Sequence, residues 1–288
     1  MRFLRLAVSV CAIAALAALP LGAQDNPPLR LMFFSLDRGQ ASLLEAPGGA
    51  TVLVGAGGVG EGKSLVQRLK KRGVKRLTTL VVNTWKDAQT GGAMEILKAL
   101  PVGQLLHSPI YVSSDVNHAL YRYAKSQEKP GKFHVVTPAP GEAIALFHAP
   151  PCRIAAVGPT GPMQLEFRND PNCSMVLEVT YDRISILDLG DTQVKHQRRL
   201  WHTAPRQPDG EVLVIGRNGG EDALLTSLLK PLRTRVAIIP VARKSGRKPA
   251  ASLLAALRKA GVKTYRTDTH GTITLETTGR EIHVKTNQ

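Results

Sequence analysis

Short apolar runs bounded by turn residues open the chain: Leu29 to Leu36, Ser42 to Glu45 and Thr51 to Val54 read as three strands of a meander, the last two separated by Ala46-Pro47-Gly48-Gly49. Gly62 to Arg72 then places Leu65, Val66 and Leu69 on one stripe with Lys70, Lys71 and Arg72 off it. That pattern predicts a helix laid on a sheet and stopped by Gly73. Strand Leu77 to Val82 and helix Ala93 to Leu100 follow, then strand Gly103 to His107, helix Val116 to Gln127, and strands Phe133 to Val136 and Ala143 to Phe147. In the middle of the chain the pattern becomes β. Cys152 to Val157 precedes a tight hairpin of Met175 to Tyr181 and Arg183 to Leu187, and the Pro- and Gly-bearing segment Gly158 to Pro171 reads as a surface loop. The α/β order returns with helix Val194 to Thr203, strand Val212 to Ile215, helix Glu221 to Leu229, strand Arg235 to Pro240 and helix Ala250 to Lys259. Strands Lys263 to Arg266, Thr272 to Thr277 and Glu281 to Lys285 complete it.

No fixed short repeat and no clear linker interrupts residues 24–288, so the pattern predicts one α/β domain of two halves, sheets stacked and helices outside. Residues 1–23 stand apart. Arg2 and Arg5 precede the apolar run Leu6 to Leu19, and Leu21-Gly22-Ala23 resembles a small-residue cleavage site, so this segment reads as a signal peptide and the protein as exported, periplasmic or extracellular. The apolar run is short of the ~20 residues that a spanning helix wants, so no transmembrane span is expected after cleavage.

Composition changes the picture at one point. The 288 residues, 43% apolar and 21% charged, are ordinary for a globular chain, but the formal charge is +16 and stays at +14 once Arg2 and Arg5 are lost. Such a field attracts nucleic acid or another polyanion; general basicity of exported proteins explains it equally well. Cys152 and Cys173 could pair in an oxidising compartment or remain two buried thiols. No G-x-S-x-G elbow occurs. Gly55 to Gly62, with Lys63 after it, lacks the order of a phosphate-binding loop.

Several motifs together resemble one family. Leu36-Asp37-Arg38-Gly39-Gln40 is similar to L-D-V-G-Q-G-D, and Thr51 to Gly58 is similar to T-V-L-I-D-A-G-G with Gly55 in place of the aspartate. Asn172-Cys173-Ser174-Met175-Val176-Leu177 resembles N-x-S-V-V-L, Leu187 to Asp191 resembles L-L-T-G-D, and Tyr265 to Asp268 with Gly271 to Thr274 resembles Y-R-T-D-x-x-G-A-I-T. These motifs belong to the metallo-β-lactamase-like C-terminal domain of ComEC-type competence proteins and its secreted relatives, and the order holds from about Leu29 to Val284. The resemblance implies an αββα four-layer sandwich, two mixed sheets with helices outside.

It also implies a metal centre, and here the sequence departs from the family. The loop that reads T-H-x-H-x-D-H in metal-dependent relatives places Thr84, Lys86, Ala88 and Gln89 at the ligand positions. The paired histidines fall on Arg217 and Asn218, and the late histidine near Lys248; Asp191 alone remains of the set. A protonated lysine has no lone pair to give, and one carboxylate cannot hold zinc in a site meant for several donors. No metal or other cofactor is therefore expected, and no catalytic residue is assigned. Asp87, one residue from the family's loop aspartate, would need a register slip to turn inward. If the fold holds, Lys86, Arg217 and Lys248 converge beside Asp191. They then serve either as internal counter-charges or as an anion-binding cleft. Trp85 and Trp201 read as packing residues. The implied function is that of an inactive binding or scaffolding module. An atypical metal-dependent hydrolase, such as a phosphodiesterase or nuclease, and a DNA-uptake accessory are the alternatives.

Overall fold

Leu29, Leu31 and Phe33 are buried on one side of the first strand while Arg30 and Met32 face the other, the period of two that a pleated strand imposes. In the computed structural model, which describes residues 26–148, 151–168, 170, 172–203 and 210–287, this strand, β1 (Leu29–Phe33), lies inside the larger of two sheets. The expected signal peptide over residues 1–23 lies outside the described residues.

The first half of the chain contributes β2 (Ser42–Glu45), β3 (Thr51–Val54), α1 (Gly62–Lys71), β4 (Leu77–Val82), α2 (Asp87–Thr90), α3 (Ala93–Ala99), β5 (Val102–His107), α4 (Asp115–Ser126) and β6 (His134–Val136). The second contributes β7 (Ala143–His148), β8 (Pro151–Gly158), α5 (Gly161–Glu166), β9 (Val176–Tyr181), β10 (Ile184–Asp188), α6 (Val194–Thr203), β11 (Val212–Val214), β12 (Val236–Ile239), α7 (Ala251–Lys259) and β13 (Lys263–Arg266). The chain ends with α8 (Thr267–His270), β14 (Thr272–Thr277) and β15 (Ile282–Asn287). Among the described residues one sheet runs β15-β14-β1-β2-β3-β4-β5-β6 and the other β13-β12-β11-β10-β9-β8-β7. Both are mixed: β3, β4, β5 and β6 are parallel, as are β10 to β13, and the remaining pairs are antiparallel. The last two strands return to the first sheet, with Leu31 opposite Leu275 and Phe33 opposite Ile273.

Three apolar layers follow from this arrangement. Leu31, Phe33 and Val81 meet Leu177, Ile186 and Ile238 between the sheets. On the outer face of the first sheet, Leu53, Leu80 and Val82 pack on Leu65 and Leu69 of α1, Ile96 of α3 and Leu120 of α4. Leu187, Leu213 and Ile239 pack outward from the second sheet on Leu200 of α6 and on Leu253 and Leu257 of α7. The order of layers is helix, sheet, sheet, helix, as expected. Burying each leucine-sized side chain contributes ~1.5–3 kcal/mol, so these three layers are the main source of stability.

Besides the one-turn helices α2 and α8, which the sequence pattern does not predict, two segments differ from it. Part of the expected loop Gly158 to Pro171 is helical as α5, because Pro162 suits a first helical turn and Met163 finds a buried place beneath it. The expected helix Glu221 to Leu229 is reduced to a 3-10 turn over Thr226–Leu228. There the Gln197 side chain accepts from the Leu225 N–H at 2.7 Å and donates to the Ala223 carbonyl at 2.8 Å, so a neighbouring side chain supplies bonds that a helix would make internally. Cys152 lies in the layer between the sheets and Cys173 in the outer layer, and both are free thiols. Burial pushes Cys152 up to about 11 and Cys173 up to about 12.

Candidate functional site

Strands β4, β10, β11 and β12 all end on one side of the sandwich, and the loops that leave them surround a cleft of about 500 Å³. Ligand clefts of α/β sheets lie at this end because the loops there are free to diverge while the strands hold their roots. The cleft is lined by Lys86 and Gln89 from the loop after β4, Asp191 after β10, Arg217 and Asn218 after β11, and Arg247 after β12, with Asn172 from the loop before β9.

Each loop is tied down by named contacts. Trp85 is fully buried, its Nε1–H donating to the Ser108 carbonyl at 3.0 Å, which fixes the loop that carries Lys86. Gly39 packs so tightly under that loop that a Cβ there would lie 1.7 Å from the Ala88 carbonyl oxygen, so glycine is required, with φ at +70°. Arg217 and Asn218 both have φ above +50°, a conformation that costs a non-glycine residue ~1–2 kcal/mol. That cost is offset because it aims the Arg217 N–H at Asp191 Oδ1 (3.2 Å) and lets Asn218 Oδ1 accept the Ala242 N–H (2.8 Å).

At the centre, Lys86 Nζ stands 3.1 Å from Asp191 Oδ2 and donates to Asn172 Oδ1 at 2.9 Å. Arg217 Nη1 reaches the same Asn172 oxygen at 2.7 Å, and its Nε pairs with Asp222 Oδ1 at 3.1 Å. Asn172 is itself held from behind, its N–H donating to Asp170 Oδ1 at 2.9 Å. Lys195 and His196 of α6 both contact Asp170 Oδ2. Burial alone would raise the Asp170 carboxyl, but the Lys195 hydrogen bond, the Asn172 N–H and His196 together bring it down to about 2. Burial lowers His196, against the pull of Asp170, so the imidazole is disposed to be neutral. Within this network Lys86, Arg217 and Lys195 are matched by Asp191, Asp222 and Asp170, while Arg247, which also lines the cleft, has no carboxylate partner among the described residues.

Not every residue expected in the cleft reaches it. Lys86, Gln89, Asp191, Arg217 and Asn218 line it, with Ala88 at its edge, whereas Thr84 is buried beneath the loop and Lys248 is exposed outside. The expected convergence of Lys86, Arg217 and Lys248 is therefore corrected for its third member. Ser245 Oγ donates to the Ala242 carbonyl and accepts the Arg247 N–H, and the turn at Gly246 swings Arg247, not Lys248, toward the cleft. Asp87 does not slip inward; it accepts a hydrogen bond from Ser114 at the start of α4. Gln89 donates to Gln40 at 3.1 Å, and a Cβ on Gly55 would lie 2.6 Å from the Gln89 side-chain oxygen. Glycine at position 55 thus leaves the room that the Gln89 side chain occupies. Asn172, Asp222, Asp170 and His196 are not expected as site residues from the sequence: Asn172 lies in the motif similar to N-x-S-V-V-L but carries no metal donor, and the other three stand in no motif. Below the cleft, Asp188 shares a small polar void with Asn83, Gln40 and Gln89. Burial raises its carboxyl to about 6, with the like charge of Asp191 adding to the shift.

The two-sheet topology has counterparts among solved structures. CmlA, a diiron β-hydroxylase from Streptomyces venezuelae, matches with a TM-score of 0.53 at 12% identity over 86% of this chain and 54% of that one. A mutant of the same β-hydroxylase matches with a TM-score of 0.54 at 13% identity, over 88% and 55%. A metallo-β-lactamase from Pontibacter korlensis matches at 15% identity and a TM-score of 0.34, over 58% of this chain and 75% of that one. The chain has the metallo-β-lactamase fold. It spans about half the length of CmlA, and at these identities the likeness is one of fold alone. No family model and no curated protein matches the sequence.

The metallo-β-lactamase fold implies metal ions, and the donors in this cleft do not fit them. Zinc or iron needs several imidazole, thiolate or carboxylate donors, and among the described residues no three His, Cys, Asp or Glu side chains converge. Both oxygens of Asp191 are engaged, one by an ammonium and one by a backbone N–H.

Proposed function

We propose that this protein is an exported pseudoenzyme of the metallo-β-lactamase fold, a binding or scaffolding module whose cleft is closed by fixed cations. The observation that carries the reading is the Lys86 ammonium 3.1 Å from Asp191, within a network whose three cations meet three carboxylates. Hydrolysis in this fold draws on a metal that lowers the pKa of its bound water from ~15.7 toward ~7. The pairing of Lys86 with Asp191 and of Arg217 with Asp222 supports these two as internal counter-charges over Lys86, Arg217 and Lys248 as an anion-binding set. The motif similarity to ComEC-type domains supports descent from a metal-dependent ancestor, and Arg2, Arg5 and the apolar run after them support export.

Elemental analysis of the purified protein after incubation with zinc, manganese or iron tests the proposal. Metal well below one ion per chain is the expected result. Stoichiometric metal, with phosphodiester hydrolysis that a chelator abolishes, would establish the atypical hydrolase instead.

A further inference from the structure

The ends of β11, β12 and β13 remote from the cleft carry a different kind of surface. Two adjoining hollows, of about 620 and 530 Å³, share Thr234 and Ala260 in their linings and together make one depression. Lys230, Arg233 and Lys259 line the first, Arg235 and Lys263 the second, and no aspartate or glutamate lines either. Several basic groups elsewhere are paired, but Lys70, Lys71 and Lys75 have no ion-pair partner among the described residues either, so what marks this surface is the gathering of cations in two hollows that no acid lines. Arg72 is paired with Glu45, Lys195 with Asp170, Arg199 with Glu166, and Arg243 and Lys244 with Asp37. Among the described residues Lys230, Arg233, Lys259 and Lys263 have no such partner, and Arg235 has only a loose one, Glu211 at 3.7 Å. Arg233 is also held at φ +53°, where glycine would be the unstrained choice, in a turn closed by the Arg233 N–H on the Lys230 carbonyl.

We propose that this depression is a docking surface for the phosphate backbone of duplex nucleic acid, bound without regard to sequence. Five cations strung along two hollows match a chain of regularly spaced phosphates better than a single anionic group, and the exposed hydroxyls of Thr226 and Ser227 add donors beside them. Tyr265 is the one aromatic residue in the lining of the two hollows, which disfavours a platform for stacked single-stranded bases. A flat anionic bilayer is a poor match for a concave surface, and the exposed large apolar residues Val59, Tyr111 and Leu165 all lie elsewhere. The surface is independent of the cleft, so the inference stands whether or not the cleft is inert.

The test is fluorescence anisotropy of the purified protein with a labelled random-sequence duplex of about 20 base pairs, titrated across salt from about 50 mM upward. The variant Lys230→Gln/Arg233→Gln/Lys259→Gln is compared with Lys70→Gln/Lys71→Gln/Lys75→Gln, which removes equal charge from the exposed end of α1 and the turn after it. Expected for the first variant is at least about a ten-fold loss of affinity and a log-log salt slope shallower by about 2–3, with a much smaller effect for the second. Equal losses in both variants, absence of duplex binding at low salt, or charge-dependent binding to phosphatidylserine vesicles in place of duplex would each overturn the proposal. Circular dichroism of all proteins confirms that the surface variants remain folded.

Discussion

Replacing Lys86 with methionine keeps the apolar stem and removes the ammonium, and the sign of the result separates two roles for this cation. Asp191 has 10% of its side chain exposed and Lys86 24%, so the pair is largely but not wholly out of water. Removing one member of a fully buried pair costs about 3–5 kcal/mol because the other charge is stranded, whereas exposed pairs contribute about 0–1 kcal/mol. Between these limits, with the Lys86 hydrogen bond to Asn172 also lost, Lys86→Met should destabilise by about 2–3 kcal/mol, or about 4–10 °C in Tm. Asp191→Asn should cost less, since the stranded Lys86 is the more exposed member and keeps its hydrogen bond to Asn172, and the double variant should fall short of additivity by about 1–2 kcal/mol. Urea unfolding followed by the fluorescence of Trp85, buried in the same loop, gives all four corners of the cycle. An uncompensated, ligand-seeking lysine would behave oppositely, since deleting a cation beside Arg217 relieves repulsion. A neutral or stabilising Lys86→Met, or strict additivity in the cycle, refutes the counter-charge account.

Asp188 offers a pH test. Burial holds its carboxyl at about 6 in the fold against an ordinary aspartate value of 3.8, so the folded state keeps a proton that the unfolded state releases and stability falls as pH rises from about 4 to 6. Asp188→Asn cannot ionise, and its stability relative to the parent should grow by about 3 kcal/mol between pH 4 and 7; a pH-independent difference in urea midpoints contradicts the burial argument. Cys152 and Cys173, raised to about 11 and about 12, should resist a chromogenic disulfide reagent in the native protein and react promptly in denaturant, and fast native labelling would count against their burial.

Most of the fold is legible in the apolar pattern, and particular elements show why the rest is not. The hairpin at Tyr181-Asp182 and the stripe on α1 depend on residues a few positions apart, which interact wherever the segment sits. Glu221 to Leu229 has a helix-like pattern, yet Gln197 supplies its hydrogen bonds from another element, and no local signal encodes that. The pairing of β14 with β1 joins residues some 240 positions apart.

The candidate site divides in the same way. That Thr84, Lys86, Ala88, Gln89, Arg217 and Asn218 include no imidazole, thiolate or carboxylate is legible in the sequence, because donor chemistry belongs to the side chain and needs no geometry. The tertiary structure alone decided that Lys86 and Arg217 meet on Asn172, that Asp222 and Asp170 balance the charge, and that Arg247 faces inward where Lys248 was expected. Charge compensation is a matter of a few ångströms between loops that are distant in the chain, and only the packing of two sheets brings them that close.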